Sequence, residues 1–153
     1  MAVTASQIMK ALPILPDRVE MLVREESWRD YEQFLEDLGP QSAVRVFYDQ
    51  GRMWIVPPLP DHERPKVIVN RLVGALSEEL KIPVISFGSS TLKLEKNAKG
   101  AEPDDSFYIH NAGQFLNKTQ IDLTTDPPPD IVVEVDNTNA SLDKFPIYVG
   151  LSV

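Results

Sequence analysis

The sequence contains no cysteine, which excludes disulfides, thiolate metal centres and cysteine nucleophiles. Aromatic residues make up only 8% of the chain, few for the stacking platforms that sugar-binding sites use. No window approaches the roughly 18 apolar residues of a membrane-spanning helix. The first sixteen residues, MAVTASQIMKALPILP, lack an uninterrupted apolar core of signal-peptide length. A soluble cytoplasmic protein with no membrane partner is the expectation. Positive charge is also scarce: 15 Lys and Arg stand against 23 Asp and Glu, a net charge of −8. That balance argues mildly against a nucleic-acid partner, but its distribution matters more. Between Arg64 and Lys99 lie seven basic residues (Arg64, Lys66, Arg71, Lys81, Lys93, Lys96, Lys99) and three acids (Glu78, Glu79, Glu95), so this segment carries +4 and the remainder −12. Ordinary surface lysines and a local phosphate-facing patch both fit that excess.

What is present is enough for a folded domain. A chain of 153 residues, 42% hydrophobic and 25% charged, can bury a real core as one unit. No internal repeat, low-complexity tract or interdomain linker divides it. Residues 1–42 form a helical extension and 43–153 the core of that single domain. In SWRDYEQFLEDL (27–38), Trp28, Tyr31, Phe34, Leu35 and Leu38 recur at helical spacing. Ser27 and Asp30 resemble a capping pair, and Gly39-Pro40 a stop. AVRVFY and RMWIVP read as two strands of a hairpin around Asp49-Gln50-Gly51. Asp61 then caps a second helix with Pro65 in its first turn, and Val69, Leu72, Val73, Leu76 and Leu80 form its apolar stripe. Beyond Pro83 the pattern is extended, with strands predicted in VISF, STLKLE, DDSFYI and IVVEVD. A polar loop from about Asn111 to Asp130 precedes the last of these. After Asn137-Thr138-Asn139 a final helix begins near Asp143, with Pro146 in its first turn, where a missing N–H does no harm.

The stretch PPPDIVVEVDNTNASLDKF (127–145) sets a problem. Its Ile-Val run belongs in a core, yet it carries Glu134 and Asp136. Strand side chains alternate, so Ile131, Val133 and Val135 share one face while Val132, Glu134 and Asp136 share the other. An unpaired carboxylate buried there costs several kcal/mol or changes its pKa. Either water reaches the Glu134 face at the sheet's end, or a cation compensates it. A second acidic strand, AEPDDSFYI, places Asp104 directly after a proline. Side by side, the two strands would bring Asp104 and Glu134 within reach of one hard divalent ion. Lys144, at the start of the helix leaving this strand, could return its ammonium over the carboxylates and orient an attacking water or stabilise a phosphoryl oxyanion.

The segments GAEPDDSFYI (100–109) and DLTTDPPPDIVVEVDNTNASLDKFPIY (122–148) resemble the Uma-two family of restriction-endonuclease-like proteins, within the PD-(D/E)xK nuclease superfamily. YDQGRMWIVPPLPDHERP (48–65) is similar to that family's amino-terminal hairpin, with its Gly, Pro-Pro and a His before the first core helix. The likeness runs from about Phe47 to Tyr148. It implies an α/β (α+β) fold: a restriction-endonuclease-like mixed sheet flanked by helices, with an extra N-terminal helix and β-hairpin. It further implies a Mg²⁺- or Mn²⁺-dependent DNA endonuclease. Asp104 matches the Asp of the PD motif and Glu134 the acidic residue of (D/E)xK. The third motif position is Asp136 rather than lysine, and Lys144 on the following helix is the candidate replacement. Glu78 or Glu79 on the first core helix could complete the site. Asp104 and Glu134 are expected to share the metal, with the Val135 backbone carbonyl as a further ligand. DNA is expected at Lys93, Lys96 and Lys99.

The resemblance implies that family members continue past YVGLSV into at least one more strand, so this chain is expected to lack the last core strand. Two consequences are expected. Phe145, Ile147, Tyr148, Val149 and Leu151 on the final helix lack cover, which favours a homodimer. The runner-up function is a catalytically inactive nuclease-like module kept for binding or assembly. A glycosidase using Glu134 with Asp136 or Asp104 is chemically feasible but weaker, given the few aromatics.

Overall fold

The computed structural model of the chain describes residues 3–14, 19–58, 60–136 and 141–153, and of 60–63 and 141–142 the backbone alone. The expected turn residues Asn137, Thr138 and Asn139 lie outside the described residues. No described helix is long and apolar enough to cross a membrane.

The first half is built on local signals. Helix α1 (Ala5–Ala11), which the sequence pattern did not reveal, begins with a capping box in which Thr4 and Gln7 satisfy each other's backbone N–H. Strand β1 (Met21–Arg24) follows. Helix α2 (Trp28–Leu38) is capped by Ser27 and Asp30 as expected and stops at Gly39, whose φ of 71° suits glycine. Its buried Tyr31 and Phe34 pack with Val44, Val46, Tyr48, Met53 and Ile55. Strands β2 (Arg45–Asp49) and β3 (Arg52–Val56) form the expected hairpin. Gln50 and Gly51 between them both have positive φ, the signature of a tight two-residue turn.

Helix α3 runs from Pro60 to Leu80. It begins one residue before Asp61, so Asp61 lies inside the helix rather than capping it, and Pro65 falls beyond the first turn. Only one backbone bond is forfeited that near the start. The face it turns inward also differs from expectation. Val69 and Val73 are half-buried, but Leu72, Leu76 and Leu80 are exposed by 58%, 49% and 60%. The helix is tied to the body through polar contacts instead, Asn70 to Asp105 at 3.0 Å and Lys66 to Ser89 at 3.4 Å.

Five short strands complete the sheets: β4 (Ile85–Ser86), β5 (Leu92–Leu94), β6 (Lys99–Ala101), β7 (Asp105–Tyr108) and β8 (Ile131–Val133). The architecture is the expected α+β, but in place of one mixed sheet there are two, and all described ladders are antiparallel. One sheet has the order β1-β3-β2-β6-β5 and the other β4-β7-β8. Strand β6 passes so close to α2 that a Cβ on Gly100 would lie 2.2 Å from the Tyr31 hydroxyl, so no larger residue fits there. A short helix, α4 (Ala112–Phe115), interrupts the expected polar loop and stacks Phe115 on Tyr108 at 3.6 Å.

After a 3-10 turn (Ser141–Lys144), helix α5 (Phe145–Gly150) closes the described chain, with Pro146 in its first turn as expected. The expectation that its apolar residues lack cover holds only for Phe145 and Val149, exposed by 60% and 73%. Ile147, Tyr148 and Leu151 are buried against Phe47, Val56, Leu92, Leu94 and Ala101. Residues from β2, β3, β5 and β6 thus cover the helix within one chain.

Candidate active site

Strands β7 and β8 pair with Asp105 opposite Val133, and one further step of that register sets Asp104 opposite Glu134. The strand ends are stitched together there. The Asp104 N–H donates to the Val133 carbonyl at 2.9 Å, and the Val135 N–H donates to Asp104 Oδ2 at 2.7 Å. Pro103 before Asp104 and the prolines before Asp130 favour extended chain leading into both strands. Asp104 is buried and Glu134 nearly so, the situation in which a carboxylate needs a cation.

Arg45, the first residue of β2, supplies one. Its Nη1 lies 2.5 Å from Asp104 Oδ1 and 3.9 Å from Glu134 Oε2, so one guanidinium nitrogen approaches both carboxylates. Tyr148 on α5 donates its hydroxyl to Glu134 Oε1. Lys144 lies with its Nζ 4.3 Å from the centre of the Phe47 ring and 3.8 Å from Glu20 Oε1. Its charge is the strongest influence favouring ionised Glu134.

Burial dominates the titration of Glu134, pushing its carboxyl up to about 7 despite the opposing pull of Lys144, Tyr148 and Arg45. Burial, and then the charge of Glu134, also hold the Tyr148 phenol above its ordinary range. A carboxyl that binds its proton more tightly when folded stabilises the fold most at low pH. That contribution is complete below the ordinary value of 4.5 and is lost as pH rises through about 7. In metal-free protein, thermal unfolding from pH 4.5 to 8 should therefore show a fall in stability that Glu134→Gln reduces. Parallel pH profiles for the two proteins would show that Glu134 is not desolvated.

The other residues singled out in the sequence fall in different places. Val135 meets Asp104 through its N–H. Asp136 is exposed at the end of the β8 segment. Glu78 and Glu79 are exposed near the end of α3, and the α3 side chain that reaches β7 is Asn70, bonded to Asp105. Lys93 is exposed and pairs with Glu32 at 2.8 Å, and Lys96 is exposed on the 3-10 turn Glu95–Asn97. Lys99 is largely buried, paired with Asp49. The three lysines thus form no single open patch.

Arg45, Tyr148 and Glu102 were not singled out. Glu102 accepts hydrogen bonds from the Val46 N–H and the Thr91 hydroxyl, both at 2.7 Å, and burial raises its carboxyl above the ordinary value. With Arg45, Asp104, Ser89, Thr91 and Lys93 it lines an open cleft of about 1170 Å³. A charge at the end of an apolar strand is the signal that marked Glu134, and it marks Arg45 equally well.

The donor set is all oxygen, which suits a hard dication. Mg²⁺ is commonly held by one or two carboxylates while keeping waters or substrate phosphate as its other ligands. Asp104 and Glu134 fit that pattern. Among the described residues, no group of three or more His, Asp or Glu side chains is gathered to hold a metal by protein ligands alone.

The family model described as "Uma2: Putative restriction endonuclease" matches residues 28–153. No curated protein and no solved structure matches.

Proposed function

Because the chain belongs to the Uma2 family of restriction-endonuclease-like proteins, we propose that it hydrolyses phosphodiester bonds of DNA, in the cytoplasm and as a pair of copies, using Mg²⁺ or Mn²⁺. The observation that carries this reading is the meeting of Asp104 and Glu134 on one cationic centre, with Asp104 lining an open cleft. When bound, the ion supplies Lewis-acid polarisation and charge compensation at the phosphate.

The chain's own residues have separate tasks. Asp104 and Glu134 would hold the ion, the Val135 carbonyl would be a further ligand, and Asp136 adds negative potential at the strand's end. Lys144 orients the attacking water beside Glu134 and opposes the negative charge that builds on phosphate oxygens. Neither Glu78 nor Glu79 has a part in this scheme, since both are exposed on α3. The water oxygen forms the new bond to phosphorus as the P–O bond to the ester oxygen breaks; the water's proton passes to solvent, and the leaving oxygen takes a proton from solvent to become the alcohol.

A second reading, an inactive nuclease-like module with a binding or assembly role, is favoured by one observation: Arg45 already compensates Asp104. Plasmid nicking by purified protein separates the two. The nuclease reading expects nicking with Mg²⁺ or Mn²⁺ that a chelator stops. Intact plasmid under both conditions would favour the silent module.

Lys93, Lys96 and Lys99 were expected to contact DNA, and their surroundings sharpen that proposal. Each phosphate neutralised contributes about 0.9 to the slope of log affinity against log salt. Neutralising exposed Lys93 and Lys96 should flatten the slope by about 1.8 on that scale. Lys99, committed to Asp49, should contribute little. An unchanged slope in the Lys93→Gln, Lys96→Gln double variant would place DNA elsewhere.

A further inference from the structure

Arg45 borders both the paired carboxylates and the open cleft. Its Nη1 lies 2.5 Å from Asp104 Oδ1 and 3.9 Å from Glu134 Oε2, and the residue lines the cleft together with Asp104. We infer that Arg45 is a substrate-binding residue that changes partner. Its guanidinium rests on Asp104 and Glu134 until they hold a divalent ion, then turns into the cleft and binds a phosphate oxygen of the DNA. This deepens the nuclease reading, on which it rests, by naming a side chain that takes the phosphate.

Competition for one oxygen drives the exchange. Carboxylates hold Mg²⁺ through oxygens at about 2.1 Å, and Asp104 Oδ2 already accepts the Val135 N–H. Oδ1 is then the oxygen that both the ion and Arg45 seek, and two cations on one buried oxygen repel strongly. Arg45 can yield without disturbing the sheet. Its main chain is fixed in β2, where it pairs with Val56, but its long side chain borders open space. Rotation about side-chain bonds between staggered positions is enough.

The lining of the cleft favours phosphate as the new partner. Glu32, Glu36, Glu102 and Asp104 line it, against the cations Arg45 and Lys93, and Lys93 is paired with Glu32 at 2.8 Å. Glu102 is the competing seat for the guanidinium. Its carboxyl already accepts the Val46 N–H and the Thr91 hydroxyl, and burial disfavours its charged form. A phosphodiester stays charged, and its oxygens match the planar guanidinium fork in pairs. The substrate is therefore the stronger partner.

Calorimetric titration of thymidine 5′-monophosphate into the full chain, with and without saturating Mn²⁺, tests the exchange. That nucleotide carries a phosphate but no diester to cut. With Mn²⁺, Arg45→Met should bind it at least about tenfold more weakly than wild type, the scale of one hydrogen bond to a charged group. Arg45→Lys, which keeps the charge but not the fork, should fall between. Without Mn²⁺ the substitutions should matter little, because Arg45 is then engaged by the carboxylates. Melting curves in Mn²⁺ check that each variant is folded. If Arg45→Met does not fold, Arg45→Lys decides, a clear loss of affinity in Mn²⁺ supporting the inference and no loss overturning it. Equal affinity of wild type and Arg45→Met in Mn²⁺ would overturn it, as would a loss of the same size with and without Mn²⁺. So would wild type that takes up Mn²⁺ but not the nucleotide. Wild type that takes up no Mn²⁺ would overturn the nuclease reading and the inference together.

Discussion

Asp104→Asn is expected to reduce metal-dependent nicking by about 100-fold or more, the scale on which losing one direct electrostatic contact at a reacting centre is felt. Asparagine keeps an oxygen that can accept the Val135 N–H, so the stitch between the β7 and β8 segments survives. What it loses is the negative charge that faces Arg45 and would hold the ion. Glu134→Gln should produce a loss of similar size while preserving the hydrogen bond from Tyr148. The measurement is the nicking rate at saturating Mn²⁺, accompanied by a melting curve to confirm folding. Folded variants that cut at the wild-type rate would remove both residues from the site.

The second large effect is expected at Arg45. Breaking a buried ion pair by removing one partner typically costs about 3–5 kcal/mol, because the other charge is left uncompensated. Arg45→Met should therefore lower the metal-free melting temperature by roughly 10 °C in a domain of this size. The same change removes the cation that competes for the carboxylates. Mn²⁺ should then raise the melting temperature of Arg45→Met by more than it raises that of wild type. If the variant is as stable as wild type without metal, or gains less from Mn²⁺, then Arg45 does not compensate Asp104 and Glu134.

The elements legible in the sequence are those whose instructions are local. Ser27, Asp30 and Gly39 define α2, and Gln50-Gly51 defines the hairpin, through groups within a few residues of each other. Strands β1 and β6, both missed, take their shape from distant partners. Strand β1 is a strand because β3 lies beside it. Strand β6 is three residues long, and its Gly100 answers to Tyr31 on α2. Helix α3 was legible as a helix, but periodicity alone does not say which face turns inward. Asn70 and Lys66 decide that, through bonds to Asp105 and Ser89.

The site divides in the same way. Asp104 and Glu134 were legible because a carboxylate in an apolar strand demands compensation, and the β7–β8 register places them together. The compensating residue was not, because Arg45 is 59 positions away from Asp104. Tyr148 was read as an apolar side chain awaiting cover. It is buried, but its hydroxyl also serves Glu134, a role that only the packing of α5 against the sheet creates. Lys144 stands at the start of α5, and its partners there, Glu20 and the Phe47 ring, come from distant parts of the chain.

The nuclease reading requires that Asp104 and Glu134 hold one divalent ion. Calorimetric titration of Mn²⁺ into metal-free protein at pH 8, above the range in which Glu134 holds its proton, tests it most directly. One saturable site is expected in wild type and none in Asp104→Ala or in Glu134→Ala. Equal heats from all three proteins would contradict it.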